Sequence, residues 1–294
     1  MPFTISVLRA AAFLVFLSQA WLHVFWDAPF RALLWNQDLM EPWVERILDQ
    51  GWEEYAACSD RPIQNVIRGF GVFYAACAIL CWTARRGRRW QLAALVAGGL
   101  ALAFLAFLKF LDHNQQTPQL IEYTAQWATP LFLAVALARG DRPRPDPGLV
   151  IAMKVAVAFT FAGHGVYAAG LLPVPGEYMF MTMQCLRVTE EAAGLLLRVA
   201  GILDFVVAAA IFVPLLSKYA LWYAAAWGAL TSLARVVSHL TPAENAYGID
   251  PWLAESLTRA PHALLPLALL AGAMKRLKPD PMPDSPPPVA HEQP

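Results

Sequence analysis

Residues 90–113 read WQLAALVAGGLALAFLAFLKFLDH, and residues 217–239 read SKYALWYAAAWGALTSLARVVSH. Each stretch is long and apolar enough for a bilayer crossing, which takes roughly 20 residues. Each ends on a basic residue followed four positions later by a histidine: Lys109 with His113, and Arg235 with His239. At this spacing a helix carries both side chains on one face. Lipid tolerates such a pair poorly unless other polar groups meet it. Its recurrence at matching places in the two halves points to an all-α polytopic membrane protein built from a duplicated unit, with a polar site inside each half.

The rest of the chain agrees. Its 294 residues are 58% hydrophobic and 15% charged, with a mean hydropathy of +0.44; soluble domains are about one-quarter charged. A net charge of zero gives no global attraction to nucleic acid. Eleven tryptophans suit membrane–water interfaces. Eight apolar segments are expected, near 4–26, 63–83, 90–110, 118–138, 149–171, 191–215, 217–238 and 258–275. The sixth and seventh are divided only at Ser217 and Lys218, and the eighth reaches back toward Pro251. The first runs past Arg9 to about Trp26 without a small-residue cleavage site and reads as a retained helix.

Basic turns set the orientation. Arg85, Arg86, Arg88 and Arg89, then Arg139, Arg142 and Arg144, then Lys218, and finally Lys275, Arg276 and Lys278 all fall on one side of an eight-span chain. That side is expected to be cytoplasmic, which places both termini there and the protein in an inner membrane. The opposite side holds the acidic loop 27–62, with Asp27, Asp38, Glu41, Glu45, Asp49, Glu53, Glu54 and Asp60. The proline-rich tail 279–294 reads as disordered.

Division near residue 145 gives a first four-helix repeat, 1–145, and a second, 146–278. Segment two carries Arg68 and Gly71, and segment six carries Arg198 and Gly201, each followed by alanine-rich sequence. Segments three and seven share the basic residue and histidine. Segment four has Gln126 four residues before Pro130, and segment eight has His262 four before Pro266. Segments one and five match more loosely, through Gln19 and His23 in one and His164 in the other. Even numbers of crossings make the repeats parallel.

By depth, His23, His113, His164, His239 and His262 fall in the outer half, with Arg68, Lys109, Arg198 and Arg235. Lys109 and Arg235 lie near helix ends, within snorkelling range of the interface. Arg68 and Arg198 lie deeper and are expected to face a polar cavity. Glu122 is a candidate partner for Lys109 or Arg68, whereas Asp204, six residues past Arg198, points elsewhere. A network of ion pairs that only fixes helix packing is one reading. A metal site is disfavoured, because no HxxxH or HxH pair occurs and the cations would repel a metal ion. An anionic or quinone-like ligand fits better: Arg and Lys hold oxygens while neutral His donates or shuttles a proton. Cys77 and Cys81 read as packing residues. Cys58 and Cys185 fall in the equivalent outer loops and are a candidate disulfide.

Gly163-His164-Gly165, with the run Arg198 to Asp204 opening an alanine-rich helix, resembles the DoxX-like family of four-helix membrane proteins. Arg68 and Gly71 keep part of the pattern, with Tyr74 where the acidic residue stands. The resemblance covers about half of the second repeat, and the family's usual unit is a single copy. It implies a link to quinone-coupled sulfur oxidation or membrane redox maintenance. A weaker likeness, through intramembrane Lys and His, is to the membrane domain related to vitamin K-dependent carboxylases.

The expectation is therefore a redox-associated protein that binds a quinone or similar lipid-soluble ligand in the outer leaflet. His164 and His239 would relay protons and Arg198 and Arg235 would polarise ligand oxygens, with Asp204 and His262 nearby. Arg68, Lys109, His113, Glu122 and His23 would supply the first-repeat site. Electrons would come from a redox partner protein or a soluble donor. A transporter or channel for a small anion, and a membrane scaffold docking through loop 27–62, are the alternatives.

Overall fold

A computed structural model describes residues 3–140, 146–240 and 246–275. Among them all regular structure is helical. The first half comprises α1 (Phe3–Phe25), α2 (Arg31–Leu34), α3 (Gln37–Leu48), α4 (Trp52–Cys58), α5 (Asp60–Thr83), α6 (Arg89–Asp112), α7 (Thr117–Glu122) and α8 (Thr124–Arg139). The second comprises α9 (Pro147–Ala168), α10 (Gly176–Leu186), α11 (Glu190–Ala210), α12 (Pro214–Ser238), α13 (Ala246–Thr258) and α14 (Ala260–Lys275).

Six helical stretches are long and apolar enough to cross a membrane: α1, α5, α6, α7 with α8, α9 and α11. A helix satisfies its own backbone polar groups, so lipid can surround it. Two expected crossings are not among the six. The 25-residue α12 is interrupted by Ser217, Lys218, Thr231, Ser232 and Arg235, which lower its hydropathy. The eighth segment is divided: Pro251 lies within α13, and α14 is a separate helix of 16 residues. The boundary between segments six and seven also moves. It falls at Ile211–Val213, with Pro214 opening α12 and Ser217 and Lys218 inside its first turns. Proline suits a first helical position because the N–H it lacks would have no intrahelical partner there.

In the first half α1 packs on α5 and α8, and α6 on α8; in the second, α9 packs on α11 and α14, and α12 on α14. The halves meet where α1 packs on α14 and α8 on α9. One apolar core runs through both, with Leu8, Phe16 and Leu133 from one side and Met153, Ile211 and Leu265 from the other. The halves thus share a core. The perimeter helices expose Ile79, Leu100, Ile202, Val206 and Leu230, surface that suits lipid and not water.

Two close approaches set the perimeter helices against the central ones. A Cβ on Gly71 of α5 would stand 2.7 Å from Val24 Cγ2 and 3.2 Å from the Ala20 carbonyl oxygen of α1. A Cβ on Gly201 of α11 would overlap the backbone of Ala169, just past α9. At the other end, buried Arg9 of α1 donates to the carbonyls of Cys81 and Ala84, which close α5. Lys154 of α9 donates to the Ile211 carbonyl, which closes α11, at 2.7 Å, and to Ser217 Oγ at 2.9 Å. These cations satisfy carbonyls that a helix end leaves without partners.

Candidate functional site

Polar side chains gather at the end of the bundle where α1, α6, α9 and α12 finish. Tyr178 of α10 donates to Glu122 Oε2 at 3.3 Å, and His164 Nδ1–H donates to the same phenol oxygen at 2.7 Å. His262 stands edge-on to His164, with ring centroids 5.3 Å apart, and its buried Nε2 has no partner among the described residues. Arg259 donates to Glu255 Oε2 at 2.8 Å and to the Glu255 carbonyl at 3.0 Å. Arg235 approaches Glu177 at 3.9 Å. Lys109 donates to the Tyr123 hydroxyl at 3.5 Å and sits 4.7 Å from that ring's centroid.

Charge links these groups across the halves. Glu255 lies within electrostatic range of Lys109, Arg259 and Arg235. Burial, then Glu122, pushes the Tyr178 phenol well up, so it remains a neutral donor. Lys109, Arg235 and Arg259 balance Glu122, Glu177 and Glu255 when the two histidines are neutral.

Beside this network is a cavity of about 410 Å³, within the size range of small-molecule sites. Gln19, His23, Asp27, Arg31, Lys109, Asp112, His113 and Glu255 give it polar walls; Leu22, Ala28, Pro29 and Leu105 give it apolar ones. His23 Nδ1–H donates to the Gln19 carbonyl at 2.7 Å, which leaves Nε2 buried and without a partner among the described residues. Arg31 is held by Asp27 at 2.9 Å and Asp60 at 2.7 Å. Among the described residues, Glu255 is the one wall residue from the second half.

The structure brings together Lys109, Glu122, His164, Arg235 and His262, and places His23 and His113 with Lys109 around the cavity. It differs from the sequence expectation at four places. Arg68 and Arg198 are exposed on the bundle perimeter instead of facing a cavity, because Ile67, Gly71 and Tyr74, and Gly201 and Asp204, form the buried faces of their helices. Asp204 is buried against Gly165 of α9, and its Oδ1 has no partner among the described residues. His239 is stacked on Trp252, with centroids 3.7 Å apart, and its Nδ1–H donates to the Arg235 carbonyl at 2.7 Å. Cys58 and Cys185 are both free thiols; Cys185 faces α12, its thiol donating to the Ala234 carbonyl at 3.5 Å, while Cys58 ends α4. Arg142, Arg144, Arg276, Lys278 and the 279–294 tail lie outside the described residues.

Sequence reasoning missed Tyr123, Glu177, Tyr178, Glu255 and Arg259. One signal was present: Glu255 and Arg259 form an i,i+4 acid–base pair. Tyr178 gave none, since only the packing of α10 on α11 and α12 brings it to His164. Among the described residues no group of three or more His, Cys, Asp or Glu is arranged to hold a metal ion. Comparison with protein-family models, curated proteins and solved structures gave no match to this chain.

Proposed function

We propose that this is an eight-span inner-membrane protein of two four-span repeats, which binds the head group of a quinone or a similar lipid-soluble redox molecule in the cavity bounded by α1, α2, α6 and α13. The arginine-rich turns and both termini face the cytoplasm in this reading, the cavity opens toward the outer leaflet, and a partner protein or soluble donor supplies electrons.

Matched contacts support the duplication. Arg9 precedes Ala20 by the same spacing as Lys154 precedes Gly165, and Cys81 follows Gly71 by the same spacing as Ile211 follows Gly201. Both pairs of ends are joined alike: Arg9 to Cys81 and Lys154 to Ile211 through the cation, and Ala20 to Gly71 and Gly165 to Gly201 through close helix approach. The order of helix partners is also the same in each half.

The observation that carries the ligand reading is that a cation, Lys109, and an imidazole, His23, both line a cavity that also has apolar walls. A cation and an imidazole suit a carbonyl or hydroxyl oxygen, while Leu22 and Leu105 suit a ring. The first half, not the Arg198 and His239 region, is then the binding half. A transport path gains little support, because Arg9 and Lys154, toward the other end, are engaged in closing helices.

Binding of a short-chain benzoquinone to the purified protein, followed by tryptophan quenching, tests the proposal. His23→Ala and Lys109→Ala should each weaken binding about tenfold or more, the scale of one hydrogen bond involving a charged group. Arg198→Ala, at an exposed site, should leave it unchanged. Equal affinity in all four proteins would overturn the reading.

A further inference from the structure

In the second half, α10 lies against the residues that correspond to the cavity wall of the first. Three cavity-wall residues of the first half have counterparts in the second. Gln19, just before Ala20, corresponds to His164, just before Gly165; Lys109 corresponds to Arg235; His113 corresponds to His239. Each counterpart meets a side chain of α10. Tyr178 shares the 2.7 Å hydrogen bond with His164, Glu177 approaches Arg235 at 3.9 Å, and the Phe180 ring lies 5.1 Å from the His239 ring.

We infer that α10 plugs a second ligand seat equivalent to the first-half cavity, with the Tyr178 phenol standing where a ligand ring would bind. This rests on the duplicated, quinone-binding reading above and sharpens it. A tyrosine side chain is a six-membered aromatic ring with one oxygen, the outline of a quinol head. Its oxygen is held by the His164 imidazole and by Glu122, a carboxylate that the first half contributes, so the second seat retains hydrogen-bonding groups for a ring oxygen and has a built-in occupant. One chain then binds one external ligand, in the first half, and the second seat is structural. The ligand class that fits both is a ring bearing a hydrogen-bonding oxygen.

The full-length protein in detergent tests this with p-cresol, the tyrosine side chain as a free molecule. Tyr178→Ala should gain one saturable p-cresol site over wild type and recover most of its lost thermal midpoint when p-cresol is added. Tyr178→Phe, which keeps the plugging ring, should gain none. Adding His164→Ala to Tyr178→Ala should abolish the extra site, whereas adding Lys109→Ala should leave it. No extra site in Tyr178→Ala would overturn the inference. If Tyr178→Ala does not fold alone, folding in the presence of p-cresol supports the plug, and failure there overturns it. Quinone titration of wild type separates the two readings: absence of quinone binding together with a gained p-cresol site sinks the ligand assignment and keeps the plug.

Discussion

Glu255 faces Lys109, Arg259 and Arg235 from a position between two helices and a cavity. Removing one partner of a buried charge cluster leaves the others uncompensated, at a cost of roughly 3–5 kcal/mol; Glu255 retains some exposure toward the cavity, so about 3 kcal/mol is expected for Glu255→Ala in chemical denaturation. The thiols give another residue-scale prediction. Cys58 is exposed while Cys77 and Cys81 are buried, and burial pushes the Cys185 thiol up. A membrane-impermeant maleimide should label chiefly Cys58, and reduction should not change electrophoretic mobility.

Helix crossings explain what the repeated Arg-x-x-Gly pattern is for. Its glycine is the structural residue: Gly71 admits α1 and Gly201 admits the end of α9, while the arginine three positions earlier sits off the buried face. Reading the pattern from sequence made the arginine look functional, because charge within an apolar run stands out and close backbone approach does not. Gly201→Ala should lower stability by about 1–3 kcal/mol, the usual cost of overpacking. Gly194→Ala in the same helix, where a Cβ meets nothing within 4 Å, should be neutral or stabilising, given alanine's helix preference over glycine of about 1 kcal/mol. Equal effects from the two would contradict the crossing. Helix α12 poses the other element-scale question. Its polar residues face α10, α13 and α14 at one end, with Arg235 and Ser238 buried, while Leu230, Leu233 and Val237 are exposed. A helix with one polar, protein-facing side and one apolar side can span lipid despite a modest average hydropathy.

The shared core of α1, α8, α9 and α14 makes the two halves one folding unit, and places their polar ends together. Glu255 of the second half reaches the first-half cavity beside Lys109 because α13 packs against α1. A topology test follows from the eight-span arrangement. Arg88→Cys and Glu53→Cys, each in a background with Cys58, Cys77, Cys81 and Cys185 replaced by serine, should label from opposite sides of the membrane, the first from the cytoplasm. Labelling of both from one side would break the proposed arrangement.

Hydrophobic runs alone determined the helical class and the limits, to within about five residues, of the six helices long and apolar enough to cross a membrane. Those features follow from local composition, since lipid crossing demands length and apolarity and little else. Tertiary structure decided which polar residues meet. Helix rotation sent Arg68 and Arg198 outward, packing of α10 on α11 and α12 brought Tyr178 to His164, and packing of α13 on α1 brought Glu255 to the cavity that Lys109 lines. Such encounters depend on the relative rotation and register of helices distant in the chain, which apolar periodicity within any one helix does not specify.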